Sequence, residues 1–194
     1  INKAVIRTMV ICGVVGGLFV SMLFSGAISH EKMKPFFTSF LKPYQYERLN
    51  PNTYHQNAAK TAIAIGGFSG SGWKKSEFSS RKWLPASHTD SVFAAFGEEF
   101  GLIGLLILLL IFYALIYLSF QVAINAKDNL GKLLASGIAV YLIMHIIVNI
   151  AMMCGFLPIS GVPLVLISYG GSSVITAMAA LGMLQSIYTR RFLF

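Results

Sequence analysis

Four long stretches of this chain are almost wholly apolar, and its polar residues gather between them. The apolar stretches run over 1–28, 92–124, 133–153 and 163–189. Each reaches the ~20 residues that a helix needs to cross ~30 Å of hydrocarbon. None shows the alternation, in segments of roughly ten residues, that marks a transmembrane barrel. The pattern predicts an all-α polytopic membrane protein with four transmembrane helices. A long polar segment over 29–91, short connections at 125–132 and 154–162, and a tail at 190–194 complete it.

The 29–91 segment is too long for an ordinary connection. It carries Pro35, Pro43, Pro51 and Pro85 with aromatic residues interleaved among Lys and Arg, and residues 58–65 predict a short helix with one apolar side. The run Gly66-Gly-Phe-Ser-Gly-Ser-Gly-Trp73 predicts a flexible turn region. Glycine-rich runs can cradle phosphate, but this one fits neither a P-loop nor a dinucleotide fingerprint.

Composition agrees with a membrane class: 56% of the 194 residues are hydrophobic and 11% charged. The net charge of +8 sits mostly in 29–91 and beside the apolar runs, which points to anionic lipid headgroups or a phosphate-bearing lipid and away from nucleic acid. Cys12 and Cys154 are isolated, read as small packing residues, and show neither metal spacing nor a disulfide pattern. No signal-peptide pattern precedes the first apolar run, so a fragment or second half of a larger membrane protein is expected. Short connections decide orientation. Lys127 and Lys132 in 125–132, against no basic residue in 154–162, put both termini in the cytoplasm and 29–91 outside.

The chemistry of interest lies where the long polar segment meets the second apolar run. Wound as a helix from Thr89, the chain would align Asp90, Ala94, Gly97, Gly101 and Gly104 on one narrow stripe. Small residues there would let another helix approach closely, as would Gly13, Gly16 and Gly17 in the first run. Asp90 reads either as a first-turn residue complementing the helix dipole, with Thr89 or Ser87 as N-cap, or as a functional acid at the membrane edge. Glu98 and Glu99 lie deeper, where a charge needs a partner or water. Basic groups from elsewhere in the protein, or a lined cavity, would meet that need. In the third run Tyr141, His145 and Asn149 share one face, which reads as an interhelical hydrogen-bonding stripe in preference to a proton relay.

Three stretches together carry a resemblance. Leu84-Pro-Ala-Ser-His-Thr-Asp-Ser-Val-Phe with Gly97-Glu-Glu-Phe-Gly, Gly155-Phe-Leu-Pro-Ile-Ser-Gly-Val-Pro with Ser168-Tyr-Gly-Gly-Ser-Ser, and Ala62-Ile-Ala-Ile-Gly-Gly-Phe-Ser-Gly-Ser-Gly-Trp73 occur in the order and spacing of the SEDS family. That family comprises the shape, elongation, division and sporulation proteins of the RodA and FtsW type. The Glu-Glu-Phe-Gly run and the closing Ser186-Ile-Tyr-Thr-Arg-Arg191 resemble the RodA type more than the FtsW type. The resemblance implies the last four helices and the large outer loop of a ten-helix fold. It also implies a peptidoglycan glycosyltransferase that polymerises lipid II at the outer face of the bacterial cytoplasmic membrane, beside a class B penicillin-binding protein.

The family's essential acid falls on Asp90, which would act as general base on a sugar hydroxyl. The departing diphosphate would need positive charge, from Lys or Arg or from a divalent cation such as magnesium. Lys60, Lys74, Lys75, Arg81 and Lys82 are near enough in sequence to supply it. His88, Thr89, Glu98, Glu99, Ser172 and Ser173 complete the candidate substrate-binding set. Departures from the family pattern are Ser91 after His-Thr-Asp, Ser71 in the glycine loop, Ala58 with Gln56 nearby, and Pro163-Leu-Val-Leu166. Two other classes compete: a transporter of lipid-linked precursor, served by in-bundle polar residues, and a non-catalytic scaffold of the wall-synthesis complex.

Overall fold

A computed structural model describes residues 53–190, so the first apolar run and residues 29–52 lie outside the described residues. All regular structure among the described residues is helical. Five helices follow in order: α1 (Tyr54–Gly66), α2 (Glu77–Ser80), α3 (Val92–Asn125), α4 (Asn129–Cys154) and α5 (Gly171–Arg190).

The helices α3 and α4, of 34 and 26 residues, are long and apolar enough to cross a membrane. They pack along each other through Leu105, Leu108 and Phe112 on one side and Ala135, Ile138, Ala139 and Leu142 on the other, all buried. Their outward faces carry exposed Leu106, Ile107, Leu110, Ile111, Leu133, Val140 and Ile147. Such a display suits hydrocarbon and would be an aggregation hazard in water. The helix α4 begins four residues before the expected 133, because Asp128 accepts from the Gly131 amide at 2.8 Å and caps it.

The remaining run also differs from its expected extent. Residues 163–170 are not helical, and α5 starts only at Gly171. The physical reason lies in Ser168 and Tyr169, whose polar groups bond outside their own segment, as described below. The helix α5 joins the core through Ala177, Ala180 and Leu184.

The helix α1 lies over the first part of α3. Ala59 and Ala62 are fully buried, and Gly66 sits so close to Gly97 that a β-carbon on it would overlap the Gly97 carbonyl. The small-residue stripe of α3 is thus used for close approach, by a helix of the polar segment. Gln56 anchors the other end of α1, donating to the carbonyls of Met152 at 3.3 Å and Leu157 at 2.9 Å. These are groups at and beyond the end of α4 that lack a partner within that helix.

One feature of α3 departs sharply from the expected straight stripe. Gly101 has φ 63° and ψ −163°, so the helix is broken there. Unbroken, α3 would bond the amides of Leu102 and Ile103 to the carbonyls of Glu98 and Glu99. Instead the glycine-rich loop inserts between the two sets. Ser71 and Gly72 donate to the Glu98 and Glu99 carbonyls at 2.9 and 3.0 Å. Leu102 and Ile103 donate to the carbonyls of Gly67 and Phe68 at 2.9 and 3.2 Å. The four backbone groups released by the break are therefore all satisfied, as burial at membrane depth requires.

Candidate active site

The His-Thr-Asp motif lies in a turn over 85–90, and α3 starts only at Val92. Asp90 therefore precedes the helix, and does not head a stripe wound from Thr89. Ser91 occupies the N-cap position but makes no capping bond, because its hydroxyl is turned to His55. The turn closes on itself through the amides of Thr89 and Ser91, both donating to the Ala86 carbonyl at 3.0 and 3.1 Å.

Three successive carbonyls of this turn are each held by a different donor from the C-terminal part of the chain. The amide of Tyr169 donates to His88 at 2.8 Å, the hydroxyl of Ser168 to Thr89 at 2.6 Å, and the side-chain amide of Asn149 to Asp90 at 2.9 Å. Asn149, fully buried, also donates to the Val162 carbonyl at 2.7 Å. Ser168 Oγ in turn accepts from the Leu164 amide at 2.7 Å. Backbone order is imposed from behind; His88 is left exposed, while Thr89 and Asp90 are half-buried and the Thr89 hydroxyl donates to the Ala86 carbonyl at 3.4 Å. Of the Tyr141, His145 and Asn149 face, Asn149 makes the long-range hydrogen bonds, while the rings of Tyr141 and His145 pair at 4.4 Å.

A cavity of about 900 Å³ opens on one side of the turn. Lys74, Lys82, His88, Thr89, Glu99 and Tyr169 contribute to its wall, with Leu84, Val92 and Phe96 among its apolar lining. Lys74, Lys82 and Ala86 in that wall have φ of 58°, 60° and 52°. For residues with a β-carbon this left-handed backbone costs about 1–2 kcal/mol each, and such strain concentrates at functional sites. Asp90 is not part of the wall. Its half-buried carboxylate faces Gly161, where a β-carbon would come within 3.7 Å of Oδ2.

The other candidate residues are distributed as follows. Glu98 is fully buried and accepts from the Phe78 amide at 2.8 Å, the Ser79 amide at 3.0 Å and the Ser79 hydroxyl at 2.5 Å. Its expected partner was a basic group or a cavity, and its actual partners are the start of α2. Glu99 likewise accepts from the Lys74 amide at 2.7 Å, so both acids fix the backbone that carries the cavity lysines. Arg81 pairs with Glu77 at 3.1 Å and lies over the Trp83 ring, both exposed. Lys75 is exposed beside Gly72, and Lys60 lies against Gly155 at the end of α4. Ser172 is exposed and Ser173 donates to the Gly170 carbonyl at 2.9 Å, a local turn bond. Among the described residues no three His, Cys, Asp or Glu side chains converge as a metal site.

Sequence reasoning passed over His55 and gave Gln56 no role. Both lie on α1; Gln56 is notable in the sequence only as standing near a glutamine of the family pattern, and His55 has no sequence signal, since its partner is 36 residues away.

Comparison with known proteins gives a consistent picture. The family model described as cell cycle protein, that of FtsW, RodA and SpoVE, matches residues 2–192. The peptidoglycan glycosyltransferase MrdB of Escherichia coli K12 is 44% identical over 138 residues, which are 71% of this chain and 37% of that protein. RodA of Treponema pallidum is 37% identical over 161 residues, covering 78% of this chain and 37% of its own length. MrdB of Helicobacter pylori 26695 is 35% identical over 184 residues, 91% of this chain and 46% of that protein. The chain thus spans less than half the length of these curated relatives. Among solved structures, a chain of a peptidoglycan synthase complex that coordinates polymerization and crosslinking superposes with a TM-score of 0.66. It is 29% identical, over 92% of this chain and 55% of that one.

Proposed function

Because the chain belongs to the FtsW, RodA and SpoVE family of cell cycle proteins, we propose that it carries the glycosyl-transfer site of a peptidoglycan polymerase acting on lipid II. The observation that carries this reading is the turn itself. Tyr169, Ser168 and Asn149 immobilise three consecutive carbonyls, so the carboxylate of Asp90 is presented in one geometry. Preorganised placement of this kind is what converts a carboxylate into an effective general base.

The reaction needs two substrates, and the turn lies between two surfaces. On the Gly161 side, Asp90 takes the proton of the acceptor sugar hydroxyl as that oxygen bonds to the donor's anomeric carbon. On the cavity side, Lys74 and Lys82 meet the diphosphate, which leaves with the electron pair of the broken carbon–oxygen bond. A divalent cation such as magnesium, when bound with the diphosphate, would add to that positive charge.

The site works on the outer face of the bacterial cytoplasmic membrane, with both termini in the cytoplasm; the lysines of the 125–132 connection support this orientation. A class B penicillin-binding protein is the proposed partner, supported by the likeness to a chain of a synthase complex. A cysteine at exposed Lys75 should react with an impermeant thiol reagent in intact spheroplasts. Labelling only after permeabilisation would reverse the orientation.

Transport of lipid-linked precursor loses its main support, because Glu98 and Asn149 are engaged in structural hydrogen bonds. Full-length protein given lipid II should form glycan polymer. Translocation in liposomes without polymer would make it a transporter.

A further inference from the structure

The helix α1 brings an ionisable side chain against the Asp90 turn. Nε2 of His55 lies 2.6 Å from the hydroxyl of Ser91, which is itself fully buried. The same imidazole feels the charge of Asp90. His55 therefore holds the exit of the turn, at the residue that directly follows Asp90.

We propose that His55 is a positioning residue for Asp90, clasping the turn as a neutral imidazole and releasing the carboxylate to work only in that state. The inference rests on Asp90 being the base assigned above. In the neutral ring with the proton on Nδ1, Nε2 accepts from the Ser91 hydroxyl. Burial pushes the imidazole below its ordinary value of 6.5, and the Asp90 charge and the Pro85 backbone oppose this less strongly. Protonation at lower pH makes both ring nitrogens donors, forces the Ser91 hydroxyl to turn round, and sets a cation beside Asp90. That cation competes with the acceptor hydroxyl for the carboxylate.

Among the described residues, Asp90 is the charge that bears on His55. Lys60 on the same helix lies against Gly155. Glu98 on α3 is bonded to Phe78 and Ser79, and Glu99 to the Lys74 amide.

The test is the pH profile of lipid II polymerisation by full-length protein, measured for wild type, His55→Gln, His55→Phe and Asp90→Asn. Glutamine can accept from the Ser91 hydroxyl, but it does not titrate. His55→Gln should keep most of the neutral-pH rate and carry its acid limb to lower pH. His55→Phe should lose kcat roughly tenfold at every pH with KM for lipid II unchanged, the signature of a displaced catalytic group. A wild-type profile in His55→Gln would overturn the inference, even if His55→Phe failed to fold. So would a wild-type kcat in His55→Phe. Inactive Asp90→Asn beside wild-type-like His55 variants would overturn this inference alone, whereas active Asp90→Asn would overturn the glycosyltransferase reading with it.

Discussion

Asn149 and Asp90, 59 residues apart, are joined by a 2.9 Å hydrogen bond from a fully buried side-chain amide to a main-chain carbonyl. The same amide nitrogen reaches Val162, so one side chain on α4 fixes both the acid's turn and the loop its carboxylate faces. Replacing it with alanine strands two carbonyls, at a cost of about 1–3 kcal/mol. Asn149→Ala should lower the thermal midpoint in detergent and reduce kcat for polymer formation with little change in KM. A kcat equal to wild type would show that the bond does not position Asp90.

Gly101 and Gly70 are fitted to each other, and a side chain on either would overlap the other's backbone or that of a neighbour. Gly101→Ala also favours a straight helix, which would close the gap that holds the glycine loop. It should greatly reduce the yield of folded protein. Gly67 is the matched control: its φ is 52°, but nothing lies within 4 Å of its missing β-carbon. Gly67→Ala should cost only the backbone strain of its positive φ, about 1–3 kcal/mol. Equal stability of the two variants, read from thermal unfolding, would refute the insertion.

Glu98 serves three donors at the start of α2 with its two oxygens. Glu98→Gln keeps one acceptor oxygen and turns an NH₂ group towards amide or hydroxyl donors. A loss of about 1–3 kcal/mol in stability is expected, with a raised KM for lipid II because the segment ahead of Lys82 loosens. An unchanged KM and midpoint would mean that the acid has another role.

Lys82 separates charge from backbone. Its φ of 60° is strained for lysine and relaxed for glycine. Lys82→Gly should therefore hold or raise the thermal midpoint while slowing polymerisation by roughly tenfold, through loss of one cation at the diphosphate. A rate that follows stability upwards would remove Lys82 from the site.

Much of this was legible in the sequence. The second apolar run predicts α3 to within a residue at its far end, because uninterrupted hydropathy and a polar stop at Asn125 define it. Helix over 58–65 extends to Tyr54–Gly66 in the structure. The motif residues were also legible, and Ser168 and Tyr169 meet His88 and Thr89 through the hydrogen bonds that hold the turn. The break at Gly101 was not, since a glycine in an apolar helix usually signals packing, and its conformation depends on a loop some 30 residues earlier. Glu98 was misjudged for a similar reason: a carboxylate satisfied by backbone amides needs no basic residue and so leaves no charge pattern to read. The late start of α5 reflects Ser168 and Tyr169 bonding to the turn, a tertiary demand that outweighs the local apolar run.

The account stands or falls on the carboxylate of Asp90. Full-length protein should be given lipid II and initial polymerisation rates compared for wild type and Asp90→Asn, with folding checked by thermal unfolding. Asparagine keeps the shape and leaves the main-chain carbonyl available to Asn149, but it cannot take a proton. The predicted result is a normally folded variant whose rate falls by roughly 10²–10⁴, the contribution of a general base. A folded Asp90→Asn that polymerises lipid II at the wild-type rate would contradict it.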